Sequence, residues 1–426
     1  LLLGGLEPSK SNWKDEMKRL RAIDLFSGAG GLTNGLKQAG FEVLAASEIN
    51  PAYSNTYRQN HPDHVVYTGD IRDLSVSEVR KQTNLKPGEL DLLAGGPPCQ
   101  GFSINAPIRT MDDKRNHLFV EFLRFVDELL PKYVLIENVP GIVSMGQGSV
   151  VASIHKALND LGYGCRHMIL YAAHYGVPQM RWRTIFIAHR EGTKKPTFPI
   201  PTHHAVGRAN FTGAKDLCFK LTSGPSFFDN DLLPFTTVGD AISDLPSLDS
   251  SGGEDKTSYT TPPQTNFQEY ARKHSKSVWN HICSGLHPVN LERMKHVKPG
   301  GSWRDIPHEL LPAGLKRARR SDHTRRYGRL SKNGLATTIL TKCDPHWGTF
   351  IHYNQDRIIS VREAARLQSF PDTFKFTGPL VQQYQQVGNA VPPLLGKVLG
   401  SAIIESLQST YKEVKKGRKT LQASTG

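Results

Sequence analysis

Cys99 stands in the stretch Gly95-Gly96-Pro97-Pro98-Cys99-Gln100-Gly101-Phe102-Ser103, directly after Leu90-Asp91-Leu92-Leu93-Ala94. The apolar run reads as a buried strand, and the Gly-Gly-Pro-Pro segment as a tight loop that ends it. A thiol is thereby set just past the C-terminal end of a strand, where open α/β sheets hold their ligands. A cysteine there is a candidate nucleophile once its pKa is lowered. A lone cysteine is more commonly a small buried side chain, and its neighbours in the chain decide between the two readings. Glu137 ends a second apolar run, Tyr133-Val134-Leu135-Ile136, and precedes Asn138-Val139-Pro140. A carboxyl so placed would have a raised pKa if desolvated, which suits a general acid; in isolation a capping or surface glutamate reads equally well. Gln179, Arg181 and Arg183 alternate along Gln179-Met180-Arg181-Trp182-Arg183 and would share one face of a strand. Exposed arginines are usually only solvated, but three polar residues aligned beside an active strand edge suggest contacts to a substrate.

The elements that would position these groups begin with a predicted strand, Ala22–Phe26, the turn Ser27-Gly28-Ala29-Gly30-Gly31 and a helix from Leu32 to Ala39. Strand, glycine turn and helix open a nucleotide-binding α/β unit, because glycines let the backbone approach a ligand at the helix N-terminus. Glu48 follows the strand Glu42–Ser47, at the place of an acidic residue that binds ribose hydroxyls. Asp70, after the strand Val65–Tyr67, could accept from an adenine amino group with Ile71 packed on the ring. Helices are predicted over Pro51–Asn60, His117–Leu130 and Val150–Leu161, and strands over Arg166–Ala172 and Thr184–Ala188. Asn105–Asn116, with Arg109, Lys114 and Arg115, reads as a mobile cover for a site.

From about Gly192 the periodicity fades, and an irregular basic insertion is expected over 192–335, with an exposed loop at Ser247–Pro263. Order returns at Ile358. Ser360 with Glu363 three residues on marks a helix start. Gln386–Pro393 reads as a turn opening a last apolar helix, Leu394–Leu407, and the basic tail beyond Tyr411 is expected to be disordered. Residues 1–20 read as a loose arm or a surface helix. The chain thus divides into an N-terminal arm (1–20), a catalytic domain (21–191), an inserted domain (192–335), a return to the catalytic domain (336–410) and the tail (411–426).

The 426 residues carry a net charge of +14, and the pI is about 9.5. Both point to a polyanionic partner. Residues 291–335 hold 12 Lys/Arg against 4 Asp/Glu. With Trp303 and Tyr327 interleaved, that run reads as a nucleic-acid surface rather than a solvated face, with Arg325, Arg326 and Arg329 as candidate contacts. The five cysteines are scattered without a CxxC pair, which suggests neither a disulfide framework nor a zinc site and fits a reducing, intracellular compartment. No apolar run reads as a membrane span. The Leu1-Leu2-Leu3 start lacks the flanks of a secretory signal and an initiator Met, so a processed, truncated or tagged N-terminus is expected.

Taken together, Asp24 to Gly31, Gly95 to Ser103, Glu137-Asn138-Val139, Gln179 to Arg183, Arg362 to Pro371 and Gln386 to Pro392 resemble, in their order, the motifs of the cytosine-C5 DNA methyltransferases, of the bacterial modification-methylase type. The resemblance spans roughly 21–190 and 335–408. It implies an α/β fold, a doubly wound and mostly parallel Rossmann-like sheet, with a smaller basic target-recognition domain across a cleft for double-stranded DNA. It implies S-adenosylmethionine as cofactor, S-adenosylhomocysteine as product, and no metal. By motif, Phe26, Ser27, Gly28, Gly30, Gly31, Glu48, Ile49, Asp70, Ile71, Pro97, Asn389 and Val391 would line the cofactor. Cys99 would be the nucleophile and Glu137 the partner of the base at N3. Arg183, helped by Arg181 and Gln179, would reach O2. Pro98, Gln100, Ser103, Asn105 and Arg109 would face the DNA. A cognate restriction endonuclease acting on the same site, a monomer on DNA and, in a bacterium, a place in the cytoplasm or nucleoid are the corresponding expectations.

Three other readings compete. An RNA cytosine-C5 methyltransferase would share the chemistry, although the long basic insertion favours DNA. A non-catalytic DNA-binding homologue would be expected to have lost Cys99, Glu137, Arg181 or Arg183. An NAD-dependent Rossmann oxidoreductase would explain the glycine turn but leave Pro98-Cys99 and the basic insertion without a role.

Overall fold

The computed structural model describes residues 19–98, 117–207, 217–219 and 232–424, with backbone alone at His117 and 412–424. The described strands and α-helices of the first half are β1 (Arg21–Leu25), α1 (Gly31–Ala39), β2 (Glu42–Glu48), α2 (Pro51–Asn60), β3 (Val65–Thr68), α3 (Val76–Thr83), β4 (Leu92–Gly95), α4 (His117–Leu129), β5 (Tyr133–Asn138), α5 (Ser149–Asp160), β6 (Tyr163–Tyr171), β7 (Gln179–Met180) and β8 (Trp182–Arg190). Seven strands form one sheet in the order β3-β2-β1-β4-β5-β8-β6. The first five are mutually parallel, and β8 runs antiparallel to both β5 and β6. The α/β, doubly wound, mostly parallel sheet expected from the sequence is therefore present.

β4 and the first four residues of β5, Tyr133 to Ile136, are apolar because helices cover both faces. Leu93, Val134 and Ile136 pack with Phe122, Phe125 and Ile154 on one side. Leu92, Ala94 and Leu135 pack with Leu36, Leu395 and Leu399 on the other. Strand order reverses between β1 and β4, so the loops after these two strands part and open a crevice at their carboxyl ends. The glycine turn leaves one side of that crevice and the Pro97-Pro98 loop the other.

The second face is closed by a helix, Pro393–Ser424, lying on α1. The contact is backbone to backbone: a Cβ on Gly35 would come within 2.4 Å of the Pro393 carbonyl oxygen. This helix runs through Tyr411 to Ser424, so the segment expected to be disordered continues the helix instead. By length and composition Leu380–Tyr411 could cross a membrane, contrary to the expectation of no such run, but most of its apolar window is buried inside the protein.

Between β8 and residue 335 the described elements are short, the longest being the nine-residue helix Pro288–His296. Gly253–Thr257, inside the predicted exposed loop, pairs antiparallel with Val278–Ile282. Val238, Ala241 and Phe267 share a core with Ile359, Phe370 and Phe374, and Trp303 and Tyr327 share another with Ile351 and Ile358. The chain therefore crosses residue 335 without leaving these cores. The helix Val361–Leu367 starts with the expected capping box, in which Ser360 Oγ accepts from Glu363 N (3.1 Å) and Glu363 Oε2 accepts from Ser360 N (2.7 Å).

Candidate active site

On the β1 side of the crevice the turn is wound by left-handed residues, with φ of 57° at Phe26, 58° at Gly28 and 99° at Gly30. A Cβ at Gly28 would meet open space, so the backbone there faces a vacant volume. Glu48 holds this turn: its Oε2 accepts from Gly28 N (3.0 Å) and its Oε1 from Asn50 N (2.8 Å). Burial raises the Glu48 pKa against the opposing pull of those amides. Ser27 Oγ donates to the Ser47 carbonyl (3.3 Å). Ile49 is 65% exposed at the mouth. Asp70 caps the turn after β3 and pairs with Arg72, whose hydrogen bonds pull its carboxyl down to about 2. Ile71 lies largely in the core, packed with Leu74 and Val79. Asn389 is exposed at the end of the helix Leu380–Asn389, and Val391 is buried in the turn that follows, before the closing helix.

Beneath the turn lies Asp24, which the sequence reading did not single out. It is 1% exposed and accepts from Thr33 Oγ1 at 2.6 Å, and that hydroxyl lies 3.0 Å from Tyr57 Oη. Burial pushes the Asp24 carboxyl up to about 7 from 3.8. The native state therefore keeps a proton that the unfolded chain has lost, and stability falls as pH rises from about 4 to about 7. Asp24→Asn is expected to flatten that part of the curve and to gain roughly 2–4 kcal/mol over wild type above pH 7. Thermal midpoints taken from pH 5 to pH 8 check this, and parallel profiles for the two proteins would refute it.

On the other side, the loop after β4 is tied to the end of β5. Asn138 Nδ2 donates to the Pro97 carbonyl at 3.1 Å, and a Cβ on Gly96 would lie 3.3 Å from Glu137 Oε2. Pro98 is exposed. Cys99, Gln100, Ser103, Asn105 and Arg109 lie outside the described residues. Glu137 Oε1 is 2.6 Å from Arg183 Nε, with both side chains close to nine-tenths buried. The antiparallel register brings them together: Glu137 stands opposite Ile185, so Arg183 on the neighbouring strand is its diagonal partner.

Gln179 and Arg181 depart from the expected row of substrate-facing residues. Both are fully buried. Gln179 Nε2 donates to the Leu367 carbonyl (3.0 Å) and to Gln368 Oε1 (2.9 Å), and its Oε1 accepts from Ile339 N (2.9 Å). Arg181 donates to the carbonyls of Gly388 (3.1 Å), Ala390 (2.9 Å) and Ile339 (3.4 Å). The reason lies in chain segments far away in sequence: Ala336–Thr337 pairs with β7 and closes over this face. Arg329, expected at a DNA surface, is likewise only 5% exposed, and its guanidinium binds the carbonyls of Met294, Val297, His352 and Gln355 and the Asp356 carboxylate. Arg325 is exposed and Arg326 half-buried, the latter 5.8 Å from the ring centre of the exposed Trp347.

Comparison with known proteins places this geometry. Residues 20–405 match the family described as C-5 cytosine-specific DNA methylase. Type II methyltransferase M.AgeI of Thalassovita gelatinovora is 33% identical, over 90% of this chain and 99% of that protein. Type II methyltransferase M1.HphI of Haemophilus parahaemolyticus is 36% identical, over 91% of this chain and 87% of that one. Among solved structures, a protein described as a DNA modification methyltransferase encoded within an E. coli prophage superposes with a TM-score of 0.69 at 25% identity, covering 91% of this chain and 99% of its own. The sheet order, the crevice at its switch point and these matches lead to one conclusion: the chain belongs to the C-5 cytosine-specific DNA methylase family.

Proposed function

We propose that this protein transfers a methyl group from S-adenosylmethionine to C5 of a cytosine flipped out of a short duplex DNA sequence, through a covalent bond between Cys99 and C6. The observation that carries the reading is the convergence of the Pro97 loop, Glu137 and Arg183 at the crevice of a chain of this family. The cofactor fits the β1 side: open space above Gly28, the Glu48 carboxylate beside it at ribose-binding spacing, and the exposed Ile49 and Asn389 at the rim. Glu48 would take the ribose, Phe26, Ile49, Asp70 and Ile71 the adenine end, and Ser27, Gly30, Gly31, Pro97, Asn389 and Val391 the remainder. When bound, S-adenosylmethionine supplies an electrophilic methyl group.

The chain's own residues do the rest. Cytosine C5 is a poor nucleophile. Addition of the Cys99 thiolate to C6 breaks the ring's aromaticity and drives electron density toward C5 and N3. A proton shared between Glu137 and N3, and the Arg183 guanidinium at O2, stabilise that charge as it develops. After C5 is alkylated, its proton passes to water acting as base, and the electron pair left behind expels the Cys99 sulfur as thiolate, restoring the ring. Flipping the base costs a few kcal/mol of stacking and pairing, which contacts to the opened duplex must offset.

Arg325 and Arg326 stand in the basic stretch that would neutralise phosphates. The Arg325→Ala, Arg326→Ala double variant is expected to reduce the slope of log K against log salt by about two. DNA-binding titrations across a salt series would measure it, and an unchanged slope would remove these residues from the interface. By analogy with M.AgeI and M1.HphI, both named type II methyltransferases, we read the protein as a modification methylase; a monomer on intracellular DNA and a restriction endonuclease of the same specificity complete this reading as proposals of our own. The test is methyl transfer from labelled S-adenosylmethionine to unmethylated plasmid DNA and, separately, to total tRNA, followed by base-resolution mapping. Label at one recurring short DNA sequence supports the reading; label in RNA alone, or none at all, refutes it.

A further inference from the structure

Arg181 is a buried cation with no task in the mechanism above. It is 0% exposed, and no carboxylate among the described residues pairs with it directly. Burying a guanidinium costs free energy unless its donors find acceptors. Here one nitrogen bridges the two carbonyls on either side of Asn389, from Gly388 at 3.1 Å and Ala390 at 2.9 Å. The second terminal nitrogen reaches the Ile339 carbonyl at 3.4 Å, and Nε is buried without a hydrogen-bond partner among the described residues. Two residues further along the same chain, Arg183 holds Glu137. Gln368 reinforces the bracket from the opposite side, donating to the Val387 carbonyl (2.7 Å) while accepting from Gln179 (2.9 Å). Thr338 Oγ1 closes it by donating to the Met180 carbonyl at 2.7 Å. The packing leaves no slack: a Cβ on Gly388 would lie 2.4 Å from the Leu340 carbonyl.

We propose that Arg181 is a positioning residue that couples the two halves of the site, tying the turn that carries Asn389 to the strand that carries Arg183, so that cofactor and target base each favour the other's binding. The inference rests on the reading of Asn389 and Val391 as cofactor contacts. A shift of the 388–390 backbone when the cofactor seats must pull on the guanidinium and, through the short stretch from Arg181 to Arg183, on the Arg183–Glu137 pair. Linkage then requires DNA to tighten cofactor binding by the same factor that cofactor tightens DNA binding.

The test measures S-adenosylhomocysteine affinity by calorimetry, with and without a duplex carrying the methylated site, for wild type, Arg181→Lys and Arg362→Lys. Lysine keeps the charge but has one nitrogen where the guanidinium uses two, so it cannot hold the Gly388–Ala390 carbonyl pair and the Ile339 carbonyl in the same fixed fork. Arg362 is the control: equally buried and bound to the carbonyls of Trp279, Pro371 and Phe374, but remote from Asn389 in its contacts. Wild type is expected to bind S-adenosylhomocysteine several-fold more tightly with DNA present. Arg181→Lys is expected to bind it about tenfold more weakly, as for the loss of one charge-assisted hydrogen bond, with the DNA effect reduced to near onefold. Arg362→Lys is expected to lose thermal stability while keeping the coupling. If Arg181→Lys does not fold, Thr338→Val carries the test with a smaller change in the same direction. Coupling retained in the Arg181 or Thr338 variant, or lacking in wild type, overturns the proposal. Failure of wild type to bind S-adenosylhomocysteine at all would instead strike the cofactor assignment on which it rests.

Discussion

Cys99→Ser is expected to lower single-turnover methyl transfer at least about a thousandfold, because a serine hydroxyl stays protonated where a thiol can ionise. S-adenosylhomocysteine affinity without DNA should stay within about threefold of wild type, since the proposed cofactor contacts at Gly28 and Glu48 lie across the switch point from the β4 loop. The separation follows from the sheet. Cys99 follows Pro98 in sequence, after the β4 loop that is anchored through Pro97 to Asn138, whereas Gly28 lies on the loop after β1 and Glu48 at the end of β2, across the switch point. Three of the other thiols, Cys165, Cys283 and Cys343, are poorly suited to substitute for it. Burial pushes Cys165 up to about 12, and it likewise raises Cys283 and Cys343. Rapid-quench transfer assays and a cofactor titration on the same preparation measure the two quantities. Turnover near the wild-type rate would end the assignment of Cys99 as nucleophile.

Legibility in the sequence followed how local the cause was. β4 and the Tyr133–Ile136 part of β5 were readable because strand residues covered on both faces are apolar, and the glycine turn because no other residue winds it so readily. The Ser360–Glu363 box was readable because both of its hydrogen bonds close within four residues. α3 was missed: in Val76–Thr83 only Val76 and Val79 are buried, too few to show a helical period. The polar residues failed for a different reason. Gln179, Arg181 and Arg329 look like surface side chains, and only the arrival of segments well over a hundred residues away, or of the Met294–Val297 and His352–Asp356 carbonyls, turns each into a buried hub. Spacing can place such residues on a face of a strand. It cannot say what will later cover that face. Asp24 was hidden in the same way, since its neighbours Thr33 and Tyr57 come from two different helices.

Glu137 and Arg183 are where the site's geometry makes its strongest demand. Glu137→Gln is expected to reduce the rate of the chemical step by roughly a hundredfold to ten-thousandfold, because glutamine cannot share a titrating proton with N3 of the base. Arg183→Lys should cost a comparable amount although the charge is retained. The 2.6 Å contact to Glu137 uses Nε, a planar donor fixed by the guanidinium, and a lysine ammonium on a flexible stem does not reproduce that direction. Since each residue orients the other, the losses should not add. The Glu137→Gln, Arg183→Lys double variant is expected to fall no more than about threefold below the slower single variant, the signature of two groups acting as one unit. Single-turnover rates for all four proteins at saturating DNA and cofactor complete the cycle. Losses that multiply instead would mean that Glu137 and Arg183 engage the base independently, and that their contact is only the resting arrangement of two neighbouring charges.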